Sequence, residues 1–295
     1  ILFAVLAITK GAVDFSRLLD IAPDPEAAGS SWFLPFGILG VLYALPFAMW
    51  FFLGTEELPL AAEEAHNPSQ DIPKAGIWGL VTLVGCAALV FFLNPAVTGS
   101  AALGSADEPL LDGFRAFLPT GWAAVLSAFA LIGLLASLQG IMYAYGRNLY
   151  SLSRAGYYPK VLSLTGTRQT PFIALTAGAV IGFLALLIVS VNEGAGAVVL
   201  NIAVWGAVLA YMLQMASFVL LRRKFPNARR PLVSPTGNWC AIVAFVIAGV
   251  TFVAVLINPT YRPAVVTIVA LYAIGLLVFG LYVRHRLVLS PEEEY

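Results

Sequence analysis

Histidine, cysteine and charge are all scarce in this sequence, and each scarcity removes a class of function. The only histidines, His66 and His285, stand at the ends of apolar runs, and the only cysteines, Cys86 and Cys240, lie within or at the edge of such runs. Residues so placed supply neither a disulfide framework nor a metal site, and the cysteines read as packing residues. Gly-x-Ser-x-Gly, His-Glu-x-x-His and phosphate-binding-loop patterns are missing. Catalysis by a nucleophile with its base, by a metal or by a cofactor is therefore not expected, which counts against a membrane-embedded enzyme. Charged residues make up only 11% of the chain and sum to zero. The basic loop Arg222–Arg230 has the charge to attract anionic lipid or nucleic acid. Beside an apolar run it reads as a topology anchor, and no nucleic-acid partner is expected.

What the sequence does have is long apolar runs: 60% of its 295 residues are hydrophobic and the mean hydropathy is +0.88. A helix needs about 20 such residues to cross ~30 Å of hydrocarbon. Seven runs qualify: Phe33–Ala62, Ile77–Leu93, Trp122–Leu149, Phe172–Val191, Val198–Leu221, Trp239–Ile257 and Pro263–Val283. The fold class is thus an all-α polytopic membrane protein whose first partner is the lipid bilayer. The run Ile1–Ile8 is only about 12 Å long as a helix, opens without Met or a basic leader, and reads as the remainder of a helix that begins upstream.

Loop positives fix the expected orientation. Lys74, Arg147, Arg154, Lys160, Arg168, Arg222, Arg223, Lys224, Arg229, Arg230, Arg284 and Arg286 follow alternate spans, twelve against the four of Lys10, Arg17, Arg115 and Arg262 in the intervening loops. The positive-inside rule puts the first group and the C-terminus in the cytoplasm, with the plasma membrane, a bacterial inner membrane, as the expected location. The outer loop 14–31 is acidic and turn-rich, and 108–118 carries apolar residues at helical spacing, a short amphipathic helix that is either a lid or a passive interfacial element.

The span Phe33–Ala62 is longer than a bilayer requires, and its second half holds Gly54, Glu56, Glu57 and Pro59. A carboxylate near mid-membrane costs roughly 2.5–3.5 kcal/mol and so must face protein or water. Gly and Pro beside it weaken the helical ladder, and backbone groups freed inside a membrane persist only where they line a cavity or find partners. A broken helix is expected: Phe33–Phe51, an unwound joint near Phe52–Thr55, and Glu56–Ala65. Two roles stand for Glu56: a functional carboxylate, or a cap on the amides of Leu58 or Leu60, with Glu57 the better placed for capping. Gly178 and Gly182 form a small-xxx-small pair suited to helix packing. Asn201, Trp205 and Tyr211 share a face of a later span, where they serve either as interhelical partners or as the lining of a solute path.

The stretch Phe47-Ala-Met-Trp-Phe-Phe-Leu-Gly-Thr-Glu-Glu-Leu-Pro-Leu-Ala-Ala-Glu-Glu-Ala-His-Asn-Pro-Ser-Gln-Asp-Ile-Pro-Lys74 resembles the amino acid–polyamine–organocation (APC) superfamily, with the helix break, the acidic helix end and the cytoplasmic Asn-Pro-x-x-Asp-Ile-Pro turn in family order. Gly146-Arg-Asn-Leu-Tyr-Ser-Leu-Ser-Arg-Ala-Gly-Tyr-Tyr-Pro-Lys160 looks like the loop after that family's eighth span. The Trp-Phe-Phe-Leu-x-x-Glu wording and Gln214-Met-Ala-Ser-Phe-Val-Leu-Leu-Arg-Arg223 are most similar to ethanolamine permeases.

The resemblance implies the C-terminal part of a LeuT-type inverted-repeat transporter, from the end of helix 5 through helix 12. One transmembrane domain would run through 1–295, with 1–13 as the end of helix 5, 33–221 as helices 6–10 and 239–285 as helices 11–12. Trp50 would cover the bound solute, and Phe51, Phe52, Leu53, Gly54 and Thr55 would offer backbone carbonyls to an ammonium group beside Glu56. Asn201 and Trp205 are candidates for further lining. Glu63 and Glu64 would latch an inner gate against Lys74, Arg147 or Arg154, or else be ordinarily solvated. The implied function is secondary active transport of a small amine such as ethanolamine or an amino acid, with proton or cation coupling. A channel is the alternative, although one broken helix without a ring of repeated charges fits alternating access better.

Overall fold

A computed structural model of the chain describes residues 1–106, 108–228, 230, 232–258 and 261–288. Arg229 of the basic loop lies outside the described residues. Those described are helical or irregular, with no strand among them. The α-helices are α1 (Leu2–Thr9), α2 (Gly37–Trp50), α3 (Pro68–Thr98), α4 (Ser100–Leu103), α5 (Pro109–Arg115), α6 (Thr120–Arg154), α7 (Phe172–Val191), α8 (Glu193–Lys224), α9 (Trp239–Ile257) and α10 (Arg262–Leu281), and 3-10 turns include Phe15–Leu19 and Thr55–Glu64. Seven helical segments among the described residues are long and apolar enough to cross a membrane, and each overlaps one predicted span. Large apolar side chains along them, such as Leu134, Leu187, Leu213 and Leu281, are exposed. Hydrocarbon satisfies such a surface and water does not.

The chain divides into two compact units, Ile1–Leu58 with Glu64–Ala136 and Arg230–Val233, and Pro59–Glu63 with Ser137–Arg229 and Ser234–Tyr295. In the first, Phe3 of α1, Leu93 and Val97 of α3 and Phe114 of α5 form a buried cluster, with the Phe3 and Phe114 rings edge to face at 5.1 Å. The predicted amphipathic helix 108–118 is helical only over Pro109–Arg115, and it holds Phe114 in this cluster. The loop 14–31 is tied to the end of α3. The Asp14 amide donates to Ala96, Arg17 donates to the Val97 carbonyl, and the Asp20 carboxylate accepts from the Ala101 amide at 2.9 Å. A cation and an amide thus meet carbonyls that a helix C-terminus leaves unpaired, and a carboxylate meets the free amides of α4.

The helix α3 begins nine residues before the predicted span. Pro68 occupies its first position, where a missing N–H costs nothing, and the Asp71 carboxylate turns back to accept from the Asn67 amide at 2.9 Å. The Asn-Pro-x-x-Asp sequence is therefore the cap of a long helix as well as a turn.

The second unit is built on α8, α9 and α10. Val204, Trp205 and Val208 of α8, Ala248, Thr251 and Val255 of α9, and Ala264 and Ile268 of α10 are buried. They recur at three-, four- and seven-residue spacings, as ridges that interlock between helices require. Gly178 of α7 faces the ring of Tyr145, whose hydroxyl donates to the Leu175 carbonyl at 2.9 Å, whereas Gly182 faces open space.

Candidate functional site

The break in the first long span is the feature on which the site is built. The helix α2 stops at Trp50, residues 51–54 turn, and Gly54 has φ +94, a left-handed conformation that side-chain-bearing residues adopt only with strain. The segment beyond is wound as 3-10 helix over Thr55–Glu64, not as the α-helix expected over Glu56–Ala65. Pro59 is the physical reason: it lacks the N–H an α-helix would aim at Thr55, and its ring crowds that carbonyl. None of the ten residues is buried.

Glu56 is partly buried, and its Oε2 accepts the Gly54 amide at 3.0 Å. The carboxylate thus ties itself to the joint through the Gly54 amide. A carboxylate offers about four lone-pair sites, so this bond leaves acceptor capacity for a cation. The Phe52 carbonyl accepts the Thr55 hydroxyl at 3.1 Å and the Gly54 carbonyl accepts the Glu57 amide at 3.1 Å. Trp50, the last residue of α2, is 40% exposed.

Within the second unit, Glu63 meets Arg147 of α6, Oε2 to guanidinium, at 2.8 Å. This is one of the pairs the sequence proposed. Arg147 also lies over the ring of Tyr143, 4.8 Å from its centroid, and Arg154 lies 5.7 Å from the ring centre of Tyr150. Both tyrosines sit four residues before their arginine, a helical contact spacing that sequence reasoning could have used and did not. Glu63 is 83% exposed on its side chain, so the pair contributes roughly 0–1 kcal/mol.

Farther along that unit, Trp205 packs on Phe252 of α9, with ring centroids 4.8 Å apart, and on Tyr272 of α10 at 5.8 Å. Its indole N–H is buried without an acceptor among the described residues. Asn201, one helical turn earlier, is partly buried. Among the described residues no three His, Cys, Asp or Glu side chains lie together as metal ligands.

Comparison with known protein families matches the amino acid permease model over residues 2–290. Similar curated proteins include the lysine-specific permease LysP of Lactococcus lactis, 31% identical over 62% of this chain and 37% of the relative. A probable GABA permease of Pseudomonas aeruginosa is 28% identical over 88% of this chain and 56% of the relative. The aromatic amino acid transport protein AroP of Escherichia coli is 27% identical over 87% and 57% respectively. The chain spans about half the length, or less, of these relatives.

Proposed function

Because the chain belongs to the amino acid permease family, we propose that it is the C-terminal part of a LeuT-type secondary carrier and holds an amine-bearing solute at the break between α2 and the 3-10 segment. One observation carries the reading: the helix stops at Trp50, Gly54 turns left-handed, and the Glu56 carboxylate folds back onto the break. Solutes named for the relatives, lysine, GABA and aromatic amino acids, differ in side chain and in the position of the amine, and share an amino group and a carboxylate. An anionic side chain beside the backbone carbonyls of a helix break is a fitting receptor for that shared ammonium, and the neighbouring Trp50, Phe51 and Phe52 add cation–π attraction.

Ethanolamine is the narrower substrate reading, supported by the Trp-Phe-Phe-Leu-x-x-Glu wording. Asn201 and Trp205 are further lining candidates, the latter through its unsatisfied indole donor. The Glu63–Arg147 pair acts as an inner latch, and Glu64 and Arg154 are candidates for the same role. Its small net energy suits a contact that must open in every cycle. Proton coupling fits a carboxylate that gains from a bound cation and tends toward protonation when the cation leaves.

The test is uptake of labelled lysine, neutral amino acids and ethanolamine by the full-length protein in liposomes, with and without a proton gradient. Saturable uptake of an amine is expected. Flux linear in solute concentration would favour a channel, and uptake of none of them would overturn the substrate class.

A further inference from the structure

The loop that follows α6 and the inner end of α10 enclose a cavity of about 680 Å³ inside the second unit. Its walls are assembled by specific local structure. The helix α6 ends in a Schellman motif, in which Gly156 (φ +89) donates to the Ser153 carbonyl and the Tyr157 amide reaches back to the Leu152 carbonyl at 2.9 Å. Ser153, 1% exposed, donates its hydroxyl to the Pro159 carbonyl at 2.7 Å and so fixes the loop. The segment after α10 is pinned to the same loop, because the Val288 amide donates to the Ala155 carbonyl at 3.1 Å and a Cβ on Gly156 would collide with the Arg286 carbonyl. Tyr157 stacks on Phe279 with centroids 6.0 Å apart.

The lining is graded from apolar to cationic. Gly275, Val278 and Phe279 form one end, and among the described residues Lys160 and Arg286 are the only charged ones that line it. The Arg286 guanidinium is oriented by the Tyr282 ring, 3.8 Å from its centroid. Seven helical residues separate Gly275 from Tyr282, about 10 Å along the axis, and Leu276, Leu277 and Leu281 outside the cavity are exposed. A site that runs from hydrocarbon depth to the water interface within one helix, cationic at the wet end and apolar at the other, complements an anionic amphiphile. The geometry points to a binding site for an anionic phospholipid, its phosphate between Lys160 and Arg286 and its glycerol and upper acyl carbons against Val278 and Phe279. The volume falls in the range of small-molecule sites, far more than a free phosphate fills.

The test uses the full-length protein, purified in detergent and stripped of lipid. Direct binding is measured for phosphatidylglycerol, for phosphatidylcholine with the same acyl chains, and for inorganic phosphate. Phosphatidylglycerol should bind and phosphatidylcholine should not displace it. In K160Q/R286Q, checked for a single gel-filtration peak, phosphatidylglycerol should bind about 30-fold more weakly, from the attraction of two basic side chains at a membrane surface. Gly275→Leu provides the second variant. A Cβ there meets no heavy atom within 4 Å, so a leucine should enter the apolar end and weaken lipid binding while leaving the melting temperature of the stripped protein unchanged. Displacement of phosphatidylglycerol by inorganic phosphate would mark a free-anion site and overturn the proposal. Equal binding of both lipids, or unaltered phosphatidylglycerol binding in both variants, would overturn it as well.

Discussion

Glu56→Gln separates the charge of the side chain from its shape at the helix break. The carboxylate accepts the Gly54 amide at 3.0 Å, and a hydrogen bond to a charged group contributes about 1.5–3 kcal/mol against about 0.5–1.5 for a neutral one. Gln keeps the acceptor oxygen, so the break should lose about 1 kcal/mol of local stability. Glu56→Ala leaves the Gly54 amide without its acceptor and should cost about 1–3 kcal/mol. If the same carboxylate meets the solute's ammonium, removing one partner of a desolvated charge pair costs about 2–5 kcal/mol, or about 30-fold to several thousand-fold in uptake kcat/KM. The two roles therefore differ in both size and readout. The assay is initial uptake by full-length protein in liposomes against solute concentration and pH, with the melting temperature measured on the same samples. Glu56→Gln should melt close to the parent while its uptake collapses or loses its pH dependence. Unchanged uptake by Glu56→Gln at every pH, beside a small drop in melting temperature, would refute the ammonium and proton roles and leave the Gly54 cap as its only one.

A cysteine at Ala28 should react with an impermeant thiol reagent from outside intact cells and one at Ala228 should not, both positions being exposed; the reverse pattern overturns the orientation drawn from loop positives. Arg147→Gln should shift the balance between gate states by no more than about fivefold, the limit for an exposed pair, and the exchange Glu63→Arg with Arg147→Glu should restore it, as read by accessibility of a reporter cysteine. Gly178→Ala should cost about 1–3 kcal/mol through collision with Tyr145, whereas Gly182→Ala, facing open space, should be neutral or slightly stabilising in thermal melts. Amide exchange over residues 55–64 should be much faster than over 248–255 of α9, and equal protection would contradict the weak packing of the 3-10 segment.

The apolar spans were legible because twenty unbroken apolar residues leave a chain few alternatives: Phe172–Val191 and Trp239–Ile257 have the same bounds in sequence and structure. Ends set by polar chemistry were less so. Hydropathy located Ile77–Leu93 but missed the turns from Pro68 onward, whose signal was a capping pattern, Asn67 with Pro68 and Asp71. The break itself was legible from Gly54, Glu56 and Pro59. Its winding was not, since 3-10 and α helices share composition and differ only in which carbonyl each amide reaches. Nor does sequence say which way a short acidic side chain will turn, and Glu56 turns back to Gly54. The spacing of Asn201 and Trp205 gave a shared face but not what it meets, because the partners, Phe252 and Tyr272, come from helices 47 and 67 residues onward.

A carrier has to combine parts that hold their geometry with a part that moves at little cost, and the two kinds of packing needed are present in this chain. In α8, α9 and α10 the contact residues include small and β-branched side chains that are fully enclosed, with Val208 and Thr251 at 0% exposure, beside the aromatic stack of Trp205 on Phe252. Shifting such a seam by one residue would put Trp205 where Val204 or Gly206 fits, so it resists small displacement. The segment Thr55–Glu64 has the opposite character. It buries no residue, its α-helical ladder is interrupted at Pro59, and the ion pair that Glu63 makes is mostly exposed. The bonds at the joint, from the Gly54 amide to Glu56, from the Thr55 hydroxyl to Phe52 and from the Glu57 amide to Gly54, each span only two or three residues. Rotation about Gly54 therefore sacrifices little burial. Under the proposed function, the Glu56 carboxylate that would meet the ammonium sits next to that pivot, so occupancy of the site and the angle of the segment would be coupled through a single side chain.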